Sequence, residues 1–462
     1  MKQKDALEIL KMGYNVYLTG AAGSGKTYLL NKYIEYLRGN NIPVAVTAST
    51  GIAATHMNGR TVHSWCGMGI NMKMNKSQIS ELADKDYIYS NITNTKVLII
   101  DEISMLHASQ LDLVNNICKN LRDNDIPFGG MQVILCGDFF QLPPVSKGND
   151  LGKFITESDI WSEMDLKVCY LSEQYRQDDH QFIKILKNVR ANQVDQEALK
   201  LLKSRINAEI KTDLQITKLY SHNIDVDRIN DMELNKISQE PKEFEMHSEG
   251  KNQKIIETLK GSCLAPEKLI LKKGAMVMFV RNNFSNGYVN GTLGKVINFD
   301  DDTGCPIIKT FKGDRIIAYP ETWKIEENYN VLAQISQIPL RLAWAITIHK
   351  SQGMSLDVAE IDLSKSFAYG MGYVALSRVK SLSGIILKGL NDMALKIDEN
   401  ILRIDKDLME MSQNFLKEYL CMSKKGIKQI QDNFIKENAE IPGDCENEYC
   451  DCDEVKLEDI PF

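Results

Sequence analysis

Gly20-Ala-Ala-Gly-Ser-Gly-Lys-Thr27 follows the apolar run Val16-Tyr-Leu18 and precedes a helical pattern. Nearly every letter of it suits the binding of a triphosphate. Gly20, Gly23 and Gly25 let the backbone curl closely, so that the loop's N–H groups, those of Ala22 and Ser24 included, ring the anion. Lys26 reaches the β- and γ-phosphates and Thr27 offers its hydroxyl to Mg²⁺. The helix that starts at Lys26 points its positive end at the same charge. Asp101-Glu102 then closes the apolar run Val97-Leu-Ile-Ile100. In that position Asp101 suits the Mg²⁺ shell, and Glu102 can orient and deprotonate an attacking water. A third polar group, Gln141, follows the strand-like run 131–136 within Gly137-Asp-Phe-Phe-Gln-Leu-Pro-Pro144. It can bond both a γ-phosphate and a water; read from its residues alone, the stretch fits an ordinary polar turn equally well. The cofactors expected are ATP and Mg²⁺.

Such residues must sit at the ends of parallel strands. Residues 16–140 alternate β-branched runs with helical patterns, as in a doubly covered α/β sheet. After the loop, Leu29, Leu30, Tyr33, Ile34 and Leu37 recur at helical spacing and Gly39 ends the helix. Residues 71–95 are polar and read as a surface insertion. The texture changes between Leu269 and Ile325, where short β runs alternate with Asn-Gly, Thr-Gly and Lys-Gly turns, as in a small SH3-like β insertion. α/β texture returns from Pro339 to Leu390, and a helical region follows. The expected divisions are a first α/β unit at 1–170, a second at 171–262 and 331–400, the β insertion at 263–330, helices at 401–437 and a tail at 438–462.

At 462 residues the chain has ample core for several domains. No apolar run nears the roughly 20 residues that span a bilayer, and no removable presequence is expected ahead of the first strand, so a cytoplasmic location is expected. The ten cysteines are scattered through apolar stretches, as at Cys118, Cys136 and Cys169, which reads as reduced and buried. Cys445, Cys450 and Cys452 cluster without a second ligand pair, so a solvated tail is preferred to a zinc site. Net charge is −7, but residues 438–462 hold nine acids against one base, which leaves residues 1–437 at +1. The acidity belongs to the tail, and the body has room for a local basic groove.

Val46-Thr-Ala-Ser-Thr-Gly-Ile-Ala-Ala54, Thr61-Val-His-Ser-Trp65, Asp101-Glu-Ile-Ser104, Gly137 to Val145, His349-Lys-Ser-Gln-Gly353 and Tyr373-Val-Ala-Leu-Ser-Arg378 resemble, in order, the motifs of superfamily-one DNA helicases. The stretch from Ser104 through Pro127-Phe-Gly-Gly130 to Cys136 is similar to the signature segment of the PIF helicases, relatives of the RecD helicases. The resemblance covers about residues 3–390. It implies two RecA-like motors that close on ATP, with Gln3 reading the adenine and Gly353 near the nucleotide. Arg176 and Arg378 are similar to the two arginines presented to the γ-phosphate, where each guanidinium stabilises charge developing in transfer. Ser49, Thr50, His63 and Ser64 on the first motor, with His349, Lys350 and Ser351 on the second, match positions that bond DNA phosphates. Trp65, Phe139 and Phe140 offer rings for base stacking, with core packing the alternative for the two phenylalanines. Met371 departs from the family's usual Gln, and residues 71–95, the expected strand-separating wedge, show no family pattern.

The activity implied is ATP-driven 5′→3′ movement of a monomer along single-stranded DNA, with unwinding of duplex or structured DNA at junctions in replication, repair or recombination. Two alternatives stand beside it: a RecD-like translocase subunit of a larger complex, and a nucleotide-regulated clamp that grips DNA without moving. Leu457-Glu-Asp-Ile-Pro-Phe462 resembles the acidic tip of single-stranded DNA-binding proteins, which implies docking on partners that hold such tips, the alternative being a solvating tail.

Overall fold

The computed structural model describes residues 1–440 except 58, 70, 145–153, 211–215, 251, 282, 284, 289, 312, 328 and 329. Val145, the cysteine cluster at 445–452 and the tip at 457–462 lie outside the described residues.

Six parallel strands form the first sheet: β1 (Val16–Gly20), β2 (Val44–Ala48), β3 (Arg60–Thr61), β4 (Val97–Asp101), β5 (Gln132–Cys136) and β6 (Lys167–Leu171), ordered β3-β2-β4-β5-β1-β6. Strand side chains alternate faces, and here both faces are apolar. Tyr17, Leu98, Ile100, Val133 and Leu135 enter one core, while Val16, Leu18, Val97, Ile99 and Ile134 enter another. The helix Lys26–Gly39 buries Leu29, Leu30, Tyr33, Ile34 and Leu37 in the second core. Its apolar stripe therefore fixes where the loop before it must sit. Residues 71–95 are more packed than their polarity implies. Helices Lys76–Ser80 and Asp86–Asn94 bury Ile79, Ile88 and Ile92, and Arg122 binds the carbonyls of Ile92, Thr93 and Thr95 at the end of the second helix.

The second sheet contains β7 (Thr217–Tyr220), β8 (Ala345–Thr347), β9 (Ala359–Leu363) and β10 (Ile385–Leu390), all parallel and ordered β8-β7-β9-β10. Leu219, Ile346, Ile361 and Leu387 join the same apolar body as Tyr17 and Leu98, so the two sheets share a continuous core. Parallel sheets bind ligands at the carboxyl ends of their strands. Both sheets carry their chemically distinctive residues there.

The β insertion is wider than residues 263–330. Strand pairing runs from Lys242 to Leu342, in a two-stranded, a three-stranded and a five-stranded antiparallel sheet. The five-stranded sheet has its own core of Val277, Phe279, Val296, Ile308 and Leu340. Two strands were illegible because Lys242–Glu245 and His247–Gly250 are charged and largely exposed, with little apolar alternation to mark them. Residues 331–337, expected in the second motor, instead belong to the strand Asn330–Gln337, which pairs with Glu321–Glu327 and His247–Gly250.

Helices Glu399–Cys421 and Lys424–Asn438 fold back onto the first motor, where Phe415, Tyr419 and Phe434 complete its second core. A polar hub fastens them. Arg190, the last residue of helix His180–Arg190, donates to both carboxylate oxygens of Asp138 (2.7 and 2.8 Å), to the Tyr170 hydroxyl (2.9 Å), to Asp405 (3.2 Å) and to the Tyr373 hydroxyl (3.3 Å). Its guanidinium lies 3.7 Å from the centre of the Phe140 ring. Asp138 is completely buried, so it depends on this partner. Arg190→Ala leaves that carboxylate buried and unpaired, an expected loss of about 3–5 kcal/mol. The checkable outcome is a thermal unfolding midpoint lower by several degrees.

Candidate active site

The triphosphate loop leaves β1 at Gly20 and enters its helix at Lys26 with Gly23 and Gly25 at positive φ, +86° and +82°. At Gly23 an added Cβ would lie 2.7 Å from Cβ of Arg176, and at Gly25 it would run into the Gln3 amide. Glycine is therefore required by space as well as by backbone angle. Lys26 donates to the carbonyls of Gly20 (2.8 Å) and Ala21 (3.2 Å), which draws its ammonium over the loop. Ser24 is buried and its hydroxyl finds no partner, while Thr27 is exposed at the first turn of the helix.

Five further segments converge on this loop. β4 delivers Asp101 and Glu102, β5 leads to Gln141, and Arg176 follows β6. From the second motor come Gly353, after β8, and Arg378, which caps helix Met371–Ser377. Lys26, Thr27, Asp101, Glu102, Gln141 and Arg176 line one cavity of about 480 Å³ together with Gly353 and Arg378. The walls of this cavity come from both motors. Neither sheet alone would enclose it.

Its electrostatics are unusual for a buried place. Arg378 is 1 % exposed, and burial, together with the like charge of Arg176, pushes its guanidinium down to about 9. It remains charged at neutral pH. Burial also lowers Arg176, which donates to the carbonyl of Ser377 (3.2 Å). Two arginines and Lys26 thus face a space that an anion would satisfy. Burial, and secondarily Asp101, raise the Glu102 carboxyl well above the usual carboxylate range, while Lys26 and Arg378 oppose the shift. A carboxylate so placed suits proton transfer. Thr27 and Asp101 bring oxygen donors to the same cavity, the donor type that a hard divalent cation takes.

Beside it opens a groove of about 740 Å³ that shares Gly25, Tyr28 and Tyr175 with the first cavity and reaches Gln3 and Leu7. Tyr28 and Tyr175 are 57 % and 58 % exposed, so flat aromatic faces flank the space beyond the phosphate loop. Gln3 donates to the carbonyls of Ser24 (3.1 Å) and Gly25 (3.3 Å), which places its amide at the mouth of this groove.

The residues expected to meet DNA divide into two sets. Ser64 is exposed, and Thr50, His63, His349 and Lys350 are half-buried. Burial lowers both His63 and His349, which favours their uncharged forms. The hydroxyls of Ser49 and Ser351 turn inward, donating to the carbonyls of Glu102 (2.6 Å) and Ile348 (2.7 Å). Trp65, expected to offer a stacking ring, lies in the core, and for Phe139 and Phe140 the core-packing alternative holds. The three are 2 %, 6 % and 2 % exposed; Phe139 packs on Tyr17 at 5.3 Å, and Phe140 lies beneath Arg190. A ring that follows a fully buried strand gains more from packing than from solvent.

Other residues take places that sequence reasoning missed. Gln352 donates to Glu102 across the two motors (2.8 Å), although it stood inside a motif already singled out. Tyr373 accepts the Ala22 N–H of the phosphate loop (3.0 Å), another link between motors. Phe367 is 55 % exposed, with its ring centre 4.9 Å from that of His222 and 6.3 Å from that of His349. The three rings follow β9, β7 and β8, adjacent strands whose carboxyl ends open on the same edge. Nothing short of the sheet order could have assembled them.

A PIF1-like helicase family model matches residues 2–200, and a model of the DNA helicase Pif1 2B domain matches residues 254–299. The chain is 43 % identical to the ATP-dependent DNA helicase Pif1 of Psychrobacter sp., over 94 % of its own length and 75 % of the relative's. The Pif1 helicase structure from Candida albicans matches with a TM-score of 0.82 at 34 % identity, covering 88 % of this chain and 98 % of that one. The Bacteroides Pif1 helicase in complex with ADP-AlF3 and single-stranded DNA gives 0.71 at 30 % identity, covering 88 % and 96 %. Matched at this identity over most of its own length and of the relative's, the chain belongs to the PIF1-like helicase family.

Proposed function

We propose that this chain is an ATP-driven motor that steps 5′→3′ along single-stranded DNA and separates paired strands ahead of it. The observation that carries the reading is the shared cavity, with Lys26, Asp101 and Glu102 from one motor facing Gly353 and Arg378 from the other. A ligand that binds both walls draws the motors together, and its hydrolysis relaxes them. Lys26 holds the β- and γ-phosphates, and Glu102 accepts the proton of the attacking water, which the Gln141 amide helps to align. Arg176 and Arg378 stabilise charge on the transferring group. Thr27 and Asp101 would hold magnesium, which neutralises phosphate charge when it arrives with the nucleotide. The groove between Tyr28 and Tyr175, with Gln3 at its mouth, takes the base.

DNA crosses both carboxyl edges. Thr50, His63 and Ser64 contact phosphates on the first motor, and His349 and Lys350 do so on the second. Phe367, framed by His222 and His349, supplies the stacking face that Trp65, Phe139 and Phe140 do not. The acidic tip at Leu457 to Phe462 extends the reading to partners that bind such tips, on the strength of its sequence alone. The chain works as a monomer in this scheme.

Strand displacement on duplexes with one single-stranded tail tests activity and polarity together. Displacement is expected with a 5′ tail and not with a 3′ tail. Lys26→Ala should abolish it along with ATPase activity, and Glu102→Gln should keep nucleotide binding while turnover falls by about 10²-fold or more. ATPase activity without displacement on either tail would favour a RecD-like subunit. Turnover that fails to continue in the presence of single-stranded DNA would leave the clamp.

Lys350 adds a pH dependence. Burial and the neighbouring Arg341 push its ammonium down to about 8, against the pull of Asp227. The protonated form grips phosphate, so affinity for an oligothymidine is expected to fall as pH rises from 7 to 9 through about 8. Lys350→Arg stays charged across that range and should flatten the slope. Fluorescence anisotropy at constant ionic strength reads both.

A further inference from the structure

Glu102 is gripped from two sides. Its backbone carbonyl accepts the Ser49 hydroxyl (2.6 Å), from the loop after β2, and its carboxylate Oε2 accepts the Gln352 amide (2.8 Å), from the turn after β8. Between these anchors Glu102 adopts φ +51°, ψ +45°, a left-handed conformation that a residue with a side chain takes only under constraint. Its N–H donates back to Asp101 (2.8 Å). Oε2 is one of only two carboxylate oxygens that can take a proton from water, and here an amide N–H occupies it.

Gln352 is well placed to let go. It is 6 % exposed, yet its Oε1 finds no partner, so the contact with Glu102 is the amide's one side-chain hydrogen bond among the described residues. It follows the single 3₁₀ turn His349–Ser351, to which it is tied by its own N–H on the His349 carbonyl (3.3 Å). One turn thus carries half-buried His349 and Lys350 at one end and the Glu102 contact at the other. The turn is short and rigidly tied, with the Lys350 N–H on the Thr347 hydroxyl and the Ser351 hydroxyl on the Ile348 carbonyl. A displacement of His349 and Lys350 therefore moves Gln352.

We infer that Gln352 is a positioning residue that holds the Glu102 carboxylate out of service until a DNA phosphate seats on the His349–Ser351 turn and draws the amide away. The inference rests on the proposed DNA-gripping role of that turn and deepens it. It gives DNA-stimulated ATP hydrolysis a physical cause, since the same short turn touches the track at one end and the water-activating group at the other. Allosteric coupling of this kind needs a contact that differs between two states, and the Gln352–Glu102 hydrogen bond is that contact.

Gln352→Ala and Gln352→Leu, the second keeping the bulk of the side chain, test it in the full-length chain. ATP turnover is measured with and without a saturating oligothymidine, and oligothymidine affinity is measured by anisotropy. In both variants DNA-free turnover is expected to rise by about fivefold or more, with DNA-saturated turnover near that of the wild type and affinity unchanged. The ratio of stimulated to basal turnover therefore collapses. A merely supportive amide gives a different result: both rates fall together, or the ratio survives, and either outcome overturns the inference. If the wild type hydrolyses ATP with no response to DNA, the proposed function has failed, and the inference falls with it. Retained response with an intact ratio in both variants removes only the role of Gln352.

Discussion

One guanidinium closes the architecture. Arg190 sits where helix His180–Arg190, the end of β5, the β6 strand, helix Met371–Ser377 and helix Glu399–Cys421 meet, and it bonds a side chain from each of the other four. Two carboxylates, Asp138 and Asp405, share its charge, and Tyr170 and Tyr373 accept its remaining donors. A buried ionic cluster of this sort adds little net stability over apolar packing, but it tolerates few alternative geometries. Each partner lies on a different element, so the cluster sets the relative placement of all of them. Tyr373 carries that order one step further, to the N–H of Ala22 in the phosphate loop.

The nucleotide site inherits its properties from this arrangement. Arg176 and Arg378 are pressed together by tertiary contacts that neither would choose in water, and Glu102 stands between two fixed cations and Asp101. Such a cluster favours an anion in the cavity whose walls both motors supply. The residues proposed to meet DNA lie on the same carboxyl edges. Ser49 and Gln352 reach Glu102 from opposite motors, the first at its backbone carbonyl and the second at its carboxylate.

Different parts of the molecule were legible in the sequence to different degrees, for physical reasons. The phosphate loop was readable because its chemistry constrains contiguous residues: glycines where φ is positive, and Lys26 and Thr27 at the start of the helix. Asp101 and Glu102 were readable because they close an apolar strand, whereas Gln141 followed its strand in a stretch that fits a polar turn equally well. The helix stripe from Leu29 to Leu37 matched its buried face residue for residue. The stacking residues were misplaced because an aromatic ring carries no sign of whether it faces water. Trp65, Phe139 and Phe140 sit in core positions, whereas Phe367 lies in a loop with little pattern of its own. The β domain began earlier than expected because its first strands are charged.

The chain alone therefore determined the elements, the order of the motifs and the chemistry of each motif, since these depend on neighbours a few residues apart. Tertiary structure decided which motifs face one another. Arg378 comes some 350 residues after the phosphate loop, and Gln352 comes 250 residues after Glu102. The C-terminal helices could have capped any exposed apolar face until Phe415, Tyr419 and Phe434 met the first motor's second core. Distances of that length along a chain carry no periodicity. Only strand order, the packing of two sheets on one core and a buried charge that admits few alternatives bring such residues to within a hydrogen bond.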